Sequence, residues 1–193
     1  MILLRCLVGL TFCSSPALAA TYEVDAAHSH VGFSVSHMMV STVRGDFATV
    51  SGTVQYDPAN IGATAVAATV AVASVNTRDA KRDAHLRSSD FFDAAKFGDM
   101  KFTSSSVKNV TSEGFDVVGN LTIRGVTKEV TFKVKSLPAD RKDPWGNHKT
   151  GTRATATINR MHFGVAWNSA LEGGGYIVGN DVTIELDLEL LRK

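Results

Sequence analysis

A chain of 193 residues with 20 basic and 19 acidic side chains has a formal net charge of +1, which leaves no electrostatic case for nucleic acid or an anionic membrane surface as partner. Both cysteines, Cys6 and Cys13, stand near the start. That excludes a disulfide framework and thiolate chemistry from the rest of the chain, whose stability must come from packing.

Residues 1–19 read as a secretory signal peptide, with Arg5, an apolar run through Phe12 and the small-residue pattern Ala17-Leu18-Ala19. The run is too short to span a bilayer. Cleavage is expected after Ala19. Residues 20–193 are then a single domain outside the cytoplasm, with charges balanced once Arg5 is removed. Acylation of Cys13 is the alternative, and the bulky Phe12 before it argues against that.

After Tyr22 the first alternating run places Val31, Phe33 and Val35 on one face and Gly32, Ser34 and Ser36 on the other. Val50, Gly52, Val54 and Tyr56 then alternate with Ser51, Thr53 and Gln55, and Asp57-Pro58 ends the run. Ala63 to Val75 is β-compatible, with Val66, Ala68, Val70 and Val72 sharing a face. Thr77 to Phe97 breaks the pattern. Asn76 or Thr77 is placed to cap a short helical segment near residues 78–95, with Asp83 and Arg87 at i,i+4, and Ser89 or Asp90 to open a second turn presenting Phe91 and Phe92. Those two rings have two readings, a lid over an apolar cavity or a plug in a packed core.

Strand patterning resumes at Met100, and Phe115, Val117, Leu121 and Ile123 share the next face. Arg124-Gly125 turns the chain into a run where Val126, Val130, Phe132 and Val134 oppose Lys133 and Lys135. A loop around Trp145, a strand from Arg153, a glycine-rich irregular stretch and a last strand follow. In that strand Val182, Ile184, Leu186, Leu188 and Leu190 alternate with acids and Thr183. About eight such strands with one helical interruption argue for an all-β antiparallel barrel or sandwich. Gly52, Gly119, Ala154 and Ala156 fall on faces read as inward, where small residues leave space.

Polar chemistry is sparse. His28 and His30 at i,i+2 share a strand face, with His85 or His162 as further ligands, but the spacing matches no established metal set and none is expected. There is no G-x-S-x-G motif for a nucleophile, so no catalytic residue is assigned. Asp79 and Asp83 among Arg78, Lys81, Arg82 and Arg87 read as a solvated helix face. Arg78, Arg82 and His85 are alternatively placed to hold a polar head at a cavity rim. Trp145 and Trp167 stand in loops, as mouth-lining or as ordinary packing residues.

The segments VDAAHSHVGFSVSH, RDAHLRSSDFFD, LTIRGVTKEV, DPWGN and NRMHFGVAWN resemble the YceI-like family of periplasmic polyisoprenoid-binding proteins, in order along the chain. The resemblance implies an extended eight-stranded lipocalin-like barrel, periplasmic location, an apolar interior for an isoprenoid or similar lipid, and no established catalysis. His28, Ser29, Phe33, Arg82, Asp83, His85, Leu86, Phe91, Phe92 and Phe163 stand inside family motifs. His162 replaces an expected acid, and Gly98 an expected proline.

The resulting expectation is a lipid tail held by Phe33, Val35, Leu86, Phe91, Phe92, Phe102, Phe132, Phe163 and Trp167, with a head (quinone, phosphate or acyl) near His28, Arg78, Arg82 and His85. The lipid is the ligand, and no cofactor is expected. A membrane or membrane protein as lipid donor and a homodimer are the partners considered. Two rivals stand beside this reading: an enzyme acting on an isoprenoid or its phosphate, and a structural barrel with a filled interior.

Overall fold

The computed structural model describes residues 19–193, so the leader read over residues 1–19 lies outside the described residues except for Ala19. Its strands are β1 (Ala20–Val24), β2 (His30–His37), β3 (Ser41–Phe47), β4 (Val50–Tyr56), β5 (Ala65–Ala71), β6 (Val75–Asn76), β7 (Asp99–Lys108), β8 (Gly114–Ile123), β9 (Val126–Lys135), β10 (Arg141–Lys142), β11 (His148–Asn159) and β12 (Val178–Arg192). They form a closed eight-stranded antiparallel barrel. The count falls to eight because β1 and β2, β3 and β4, and β5 and β6 are successive halves of three long strands, while β10 only extends the edge beside β11. Each long strand pairs with its neighbours in the chain, and β12 closes the circle between β11 on one edge and β1 and β2 on the other. Closure removes the edges an open sheet would present, apart from the outer part of β3, which β6 does not reach.

The period-2 pattern sets which face is inside. Val54, Tyr56, Phe115, Val117, Leu121, Ile123, Val130, Phe132, Ala154, Ala156 and Leu190 are all buried. The three interruptions, Asp25–Ser29, Ala48–Thr49 and the 3-10 turn Val72–Ser74, lie side by side across adjacent strands. Pairing between the first two long strands stops at Glu23 opposite Thr53 and resumes at Gly32 opposite Asp46. One small inward residue does not leave space as expected: the Phe102 ring occupies the volume a Gly119 side chain would need.

Helix α1 (Ala80–Arg87) crosses one end of the barrel. It is capped by Asp79 and not by Asn76 or Thr77, because Arg78 turns the chain at φ +63° and leaves Asp79 extended just before the first helical residue. The Asp79 carboxylate accepts from the Lys81 and Arg82 amides at 3.0 and 3.1 Å. Asp83 does not pair with Arg87 and is not solvated. It is 8% exposed and accepts both the amide and the hydroxyl of Thr77, at 2.8 and 2.6 Å. Arg87 instead donates back to the Ala73 and Val75 carbonyls. Ser88 ends the helix, its hydroxyl donating to the His85 carbonyl at 2.8 Å, and a turn through Ser89 and Asp90 follows, in which the Phe91 amide donates to the Ser88 carbonyl at 3.2 Å. Among the described residues, no helix is long and apolar enough to cross a membrane.

Candidate functional site

The interior holds a cavity of about 250 Å³ that reaches from α1 toward the far end of the barrel. Its wall is hydrocarbon almost throughout. Phe115, Val54 and Leu190 line its far end, where the buried rings of Tyr22 and Tyr56 fill the barrel beyond. Leu86, Phe91, Phe92 and Phe163 form the roof under the helical cover. Tilted and edge-on contacts join Phe33 to Phe47 at 5.6 Å, Phe47 to Phe92 at 6.0 Å and Phe102 to Phe132 at 5.1 Å, the geometry favoured between aromatic rings.

Eight of the nine residues expected at a lipid tail, Phe33, Val35, Leu86, Phe91, Phe92, Phe102, Phe132 and Phe163, stand together on this wall. Trp167 is not on the wall. It packs behind Phe91 at 5.3 Å and against His85 at 5.0 Å. Trp145 neither lines a mouth nor packs, being 84% exposed at the tip of its loop.

The residues expected at a polar head do not meet. His28 sits in the interruption after β1, off the strand and so not on a common strand face with His30, and its Nδ1 is 2.9 Å from Asp25. Arg78, Arg82 and His85 lie on the outer side of the helical cover. Arg78 is exposed. Arg82 donates to the Thr77 hydroxyl and carbonyl at 2.7 and 2.8 Å, which buttresses the start of α1. His85 contacts Asp90 at 2.9 Å and meets the edges of Phe91 and Trp167. None of the four lines the cavity.

Asp25, His28 and Glu189 bring ligand-type atoms within 4.8 Å of one another on the barrel's outside; His30, His85 and His162 are not in that group. The Lys149 ammonium donates to both carboxylates, at 3.0 and 2.7 Å. The hydrogen bond with His28, then that from Lys149, holds the Asp25 carboxyl down at about 2, and the same two carboxylates raise the Lys149 pKa.

Two arginines hold the cover in place, and the sequence reading missed both. Arg124, in the hairpin between β8 and β9, donates to the Phe91 and Gly164 carbonyls at 2.8 Å each and to Ser89 at 2.7 Å. Arg160, 5% exposed, donates to the carbonyls of Gly179, Val165, Trp167 and Val178 at 2.6 to 3.3 Å. Burial among carbonyls, with no carboxylate bonded to it, lowers its pKa from the usual arginine range. Arg160 reaches the cavity wall and ties down the loop before β12. A sequence signal existed for Arg124 alone, a bulky residue in a two-residue hairpin position that prefers Asn or Gly.

The YceI-like domain model matches residues 22–190. A UPF0312 protein of Staphylococcus aureus (strain MSSA476) is 38% identical over 168 residues, covering 87% of this chain and 95% of its own. One from Pseudomonas fluorescens (strain SBW25) is 37% identical over 175 residues, covering 90% and 86%. Among solved structures, BcnA of Burkholderia cenocepacia superposes with a TM-score of 0.75 at 26% identity, over 86% of this chain and 98% of that one. The Campylobacter jejuni YCEI protein gives 0.68 at 31% identity, over 88% and 96%. A polyisoprenoid binding domain from Saccharophagus degradans gives 0.63 at 16% identity, over 92% and 100%, a likeness of fold. With the domain matched over nearly all the described residues, the barrel and its helical cover are those of a member of the YceI-like family.

Proposed function

We propose that this protein binds a long-chain isoprenoid or similar amphiphilic lipid inside the barrel and carries it in the periplasm, exported by its N-terminal leader. The observation that carries the reading is the cavity, walled by hydrocarbon and roofed by Leu86, Phe91, Phe92 and Phe163. The fold likeness to a polyisoprenoid binding domain supports it. Burial of each CH₂ contributes about 0.8 kcal/mol, so each isoprene unit offers about 3 to 4 kcal/mol. A few units then reach micromolar affinity after ordering costs, and the head need only orient the chain.

Binding is favoured over catalysis because the ionisable groups of the cover serve its architecture. Arg82 and Asp83 brace Thr77, and His85 contacts Asp90 on the outer side. The lipid is the only non-protein group in this reading. It is taken from a membrane or a membrane protein, and a homodimer is compatible with it.

The test is native mass spectrometry of protein purified from its own periplasm, followed by lipid extraction. The expected result is a non-covalent prenyl or alkyl lipid at one per chain. Delipidated protein that takes up no added prenol would overturn the reading in favour of a structural barrel, and turnover of a prenyl phosphate lost on His85→Ala would favour the enzyme.

A further inference from the structure

The β2–β3 hairpin projects beyond its neighbour on the β6 side of the wall. Strand β3 pairs with β6 only at Asp46 and Phe47, so Ser41 to Gly45 have β2 on one side and no strand on the other. That stretch of five residues carries the tip roughly 15 Å past the level of β6.

The tip is built against its own folding interest. The Val40 amide donates to the His37 carbonyl at 3.1 Å, and Met38 and Met39 between them have φ of +53° and +60°. Positive φ at both central residues is the primed hairpin turn that Asn-Gly suits best. The hairpin between β8 and β9 makes a similar turn with Arg124 and Gly125 at φ +51° and +74°, where the arginine gains three carbonyl bonds. Among the described residues the Met38 and Met39 side chains make no hydrogen bonds of that kind. Met38, Met39 and Val40 are 41%, 67% and 82% exposed.

The patch extends to the neighbouring loop. Met39 lies over Gly175, in space a side chain there would fill, and the Met38 amide donates to the Ile177 carbonyl at 2.7 Å. Tyr176 between them is 59% exposed. From residue 38 to 43 and from 173 to 180 no Asp, Glu, Lys, Arg or His occurs. Beneath the tip, Val35 and Val178 line the cavity, and the β2–β12 ladder loses register between Val178 and Val182.

We propose that this tip inserts into the surface of a lipid bilayer and is the docking site through which the barrel exchanges its ligand. The occupant follows from the chemistry: an uncharged patch of flexible apolar side chains with one interfacial tyrosine matches an acyl boundary. It also runs without a charged break into a wall made for the same hydrocarbon. The proposal rests on the lipid-binding reading above.

The test is co-sedimentation with phosphatidylcholine vesicles, with and without phosphatidylglycerol, at low and high salt. Wild type is expected to bind all of them, with little dependence on salt or anionic lipid because no basic cluster takes part. Met38→Asn/Met39→Gly should bind at least about tenfold more weakly while melting at a higher temperature, since it restores the favoured turn. Val40→Glu should lose vesicle binding with an unchanged melting temperature. Both variants should take up added farnesol from solution as wild type does, which keeps the two proposals separable.

Wild type that stays in the supernatant overturns the docking proposal, as do variants that bind vesicles normally. Variants that lose only self-association assign the patch to a second copy of the chain and also overturn it. Vesicle binding without farnesol uptake would refute the lipid-carrier reading on which the exchange role rests.

Discussion

The two ends of the barrel are closed by different physics. At the far end the closure is packing: Tyr56 and Phe115 stack at 6.4 Å, Tyr22 is buried with its hydroxyl donating to Asp140 at 2.8 Å, and Leu190 is 1% exposed. At the helical end the buried Phe91 and Phe163 are held in place by charged hydrogen bonds from Arg124 and Arg160 to carbonyls of the cover and its neighbouring loop. Packing holds only while all its parts are in place, whereas the solvent-exposed bonds of Arg124 can be exchanged for bonds to water, the buried Arg160 staying with the loop before β12. On the proposed lipid-binding reading, the helical end is the one that opens and the far end the one that stays shut.

Removing the packed closure should have the largest effect. Tyr56→Ala should cost about 3 to 5 kcal/mol of stability, as for other buried aromatic truncations, and leave the prenol affinity of the folded fraction close to wild type. Denaturant unfolding beside a binding titration checks both. A fall in affinity with stability intact would place the working end on the wrong side.

Arg124→Ala should cost less, about 1.5 to 3 kcal/mol for hydrogen bonds from a charged group. It should also release bound prenol faster, since Phe91 and Gly164 lose their common anchor. Stopped-flow displacement reads the rate. Unchanged release would mean that the cover is held by its apolar contacts alone.

A smaller effect separates, by pH, the buried closure of the far end from the charge cluster on the wall outside it. Burial and the Asp140 hydrogen bond push the Tyr22 phenol at the far end up to about 12. Its contribution is complete below the ordinary tyrosine value near 10 and is lost as pH rises toward 12. Asp25 works in the opposite direction: its carboxyl is held at about 2, so its contribution is present above the ordinary value of 3.8 and is lost as pH falls toward 2. Melting temperatures of Tyr22→Phe and Asp25→Asn should therefore converge with wild type at the alkaline and acid extremes respectively.

How much of this was legible depends on how local the cause is. The alternation of Val182 to Leu190 with polar residues specifies a half-buried strand without outside help, and β12 follows it. The interruptions at Asp25–Ser29 and Val72–Ser74 were not legible, because the strand pattern resumes after each and the break is a property of pairing between strands. The cap at Asp79 depended on the left-handed turn at Arg78, which an arginine does not advertise. The cavity wall was legible residue by residue from polarity, but the space was not: Gly119 reads as a void and is filled by Phe102 from the neighbouring strand. The arginine anchors were least legible of all. Their acceptors are backbone carbonyls, which every residue carries, and for Arg124 they lie 33 to 40 positions away.

The most direct test fills the cavity. Ala154 is buried on its wall between Val134 and Leu186, and Ala154→Phe would place a ring where the ligand chain is proposed to lie. Filling an existing void should leave the denaturant midpoint of the delipidated protein unchanged or raised, while prenol affinity falls at least about tenfold. Wild-type affinity with the ring in place would contradict the account, because the lipid would then be bound somewhere other than the barrel interior.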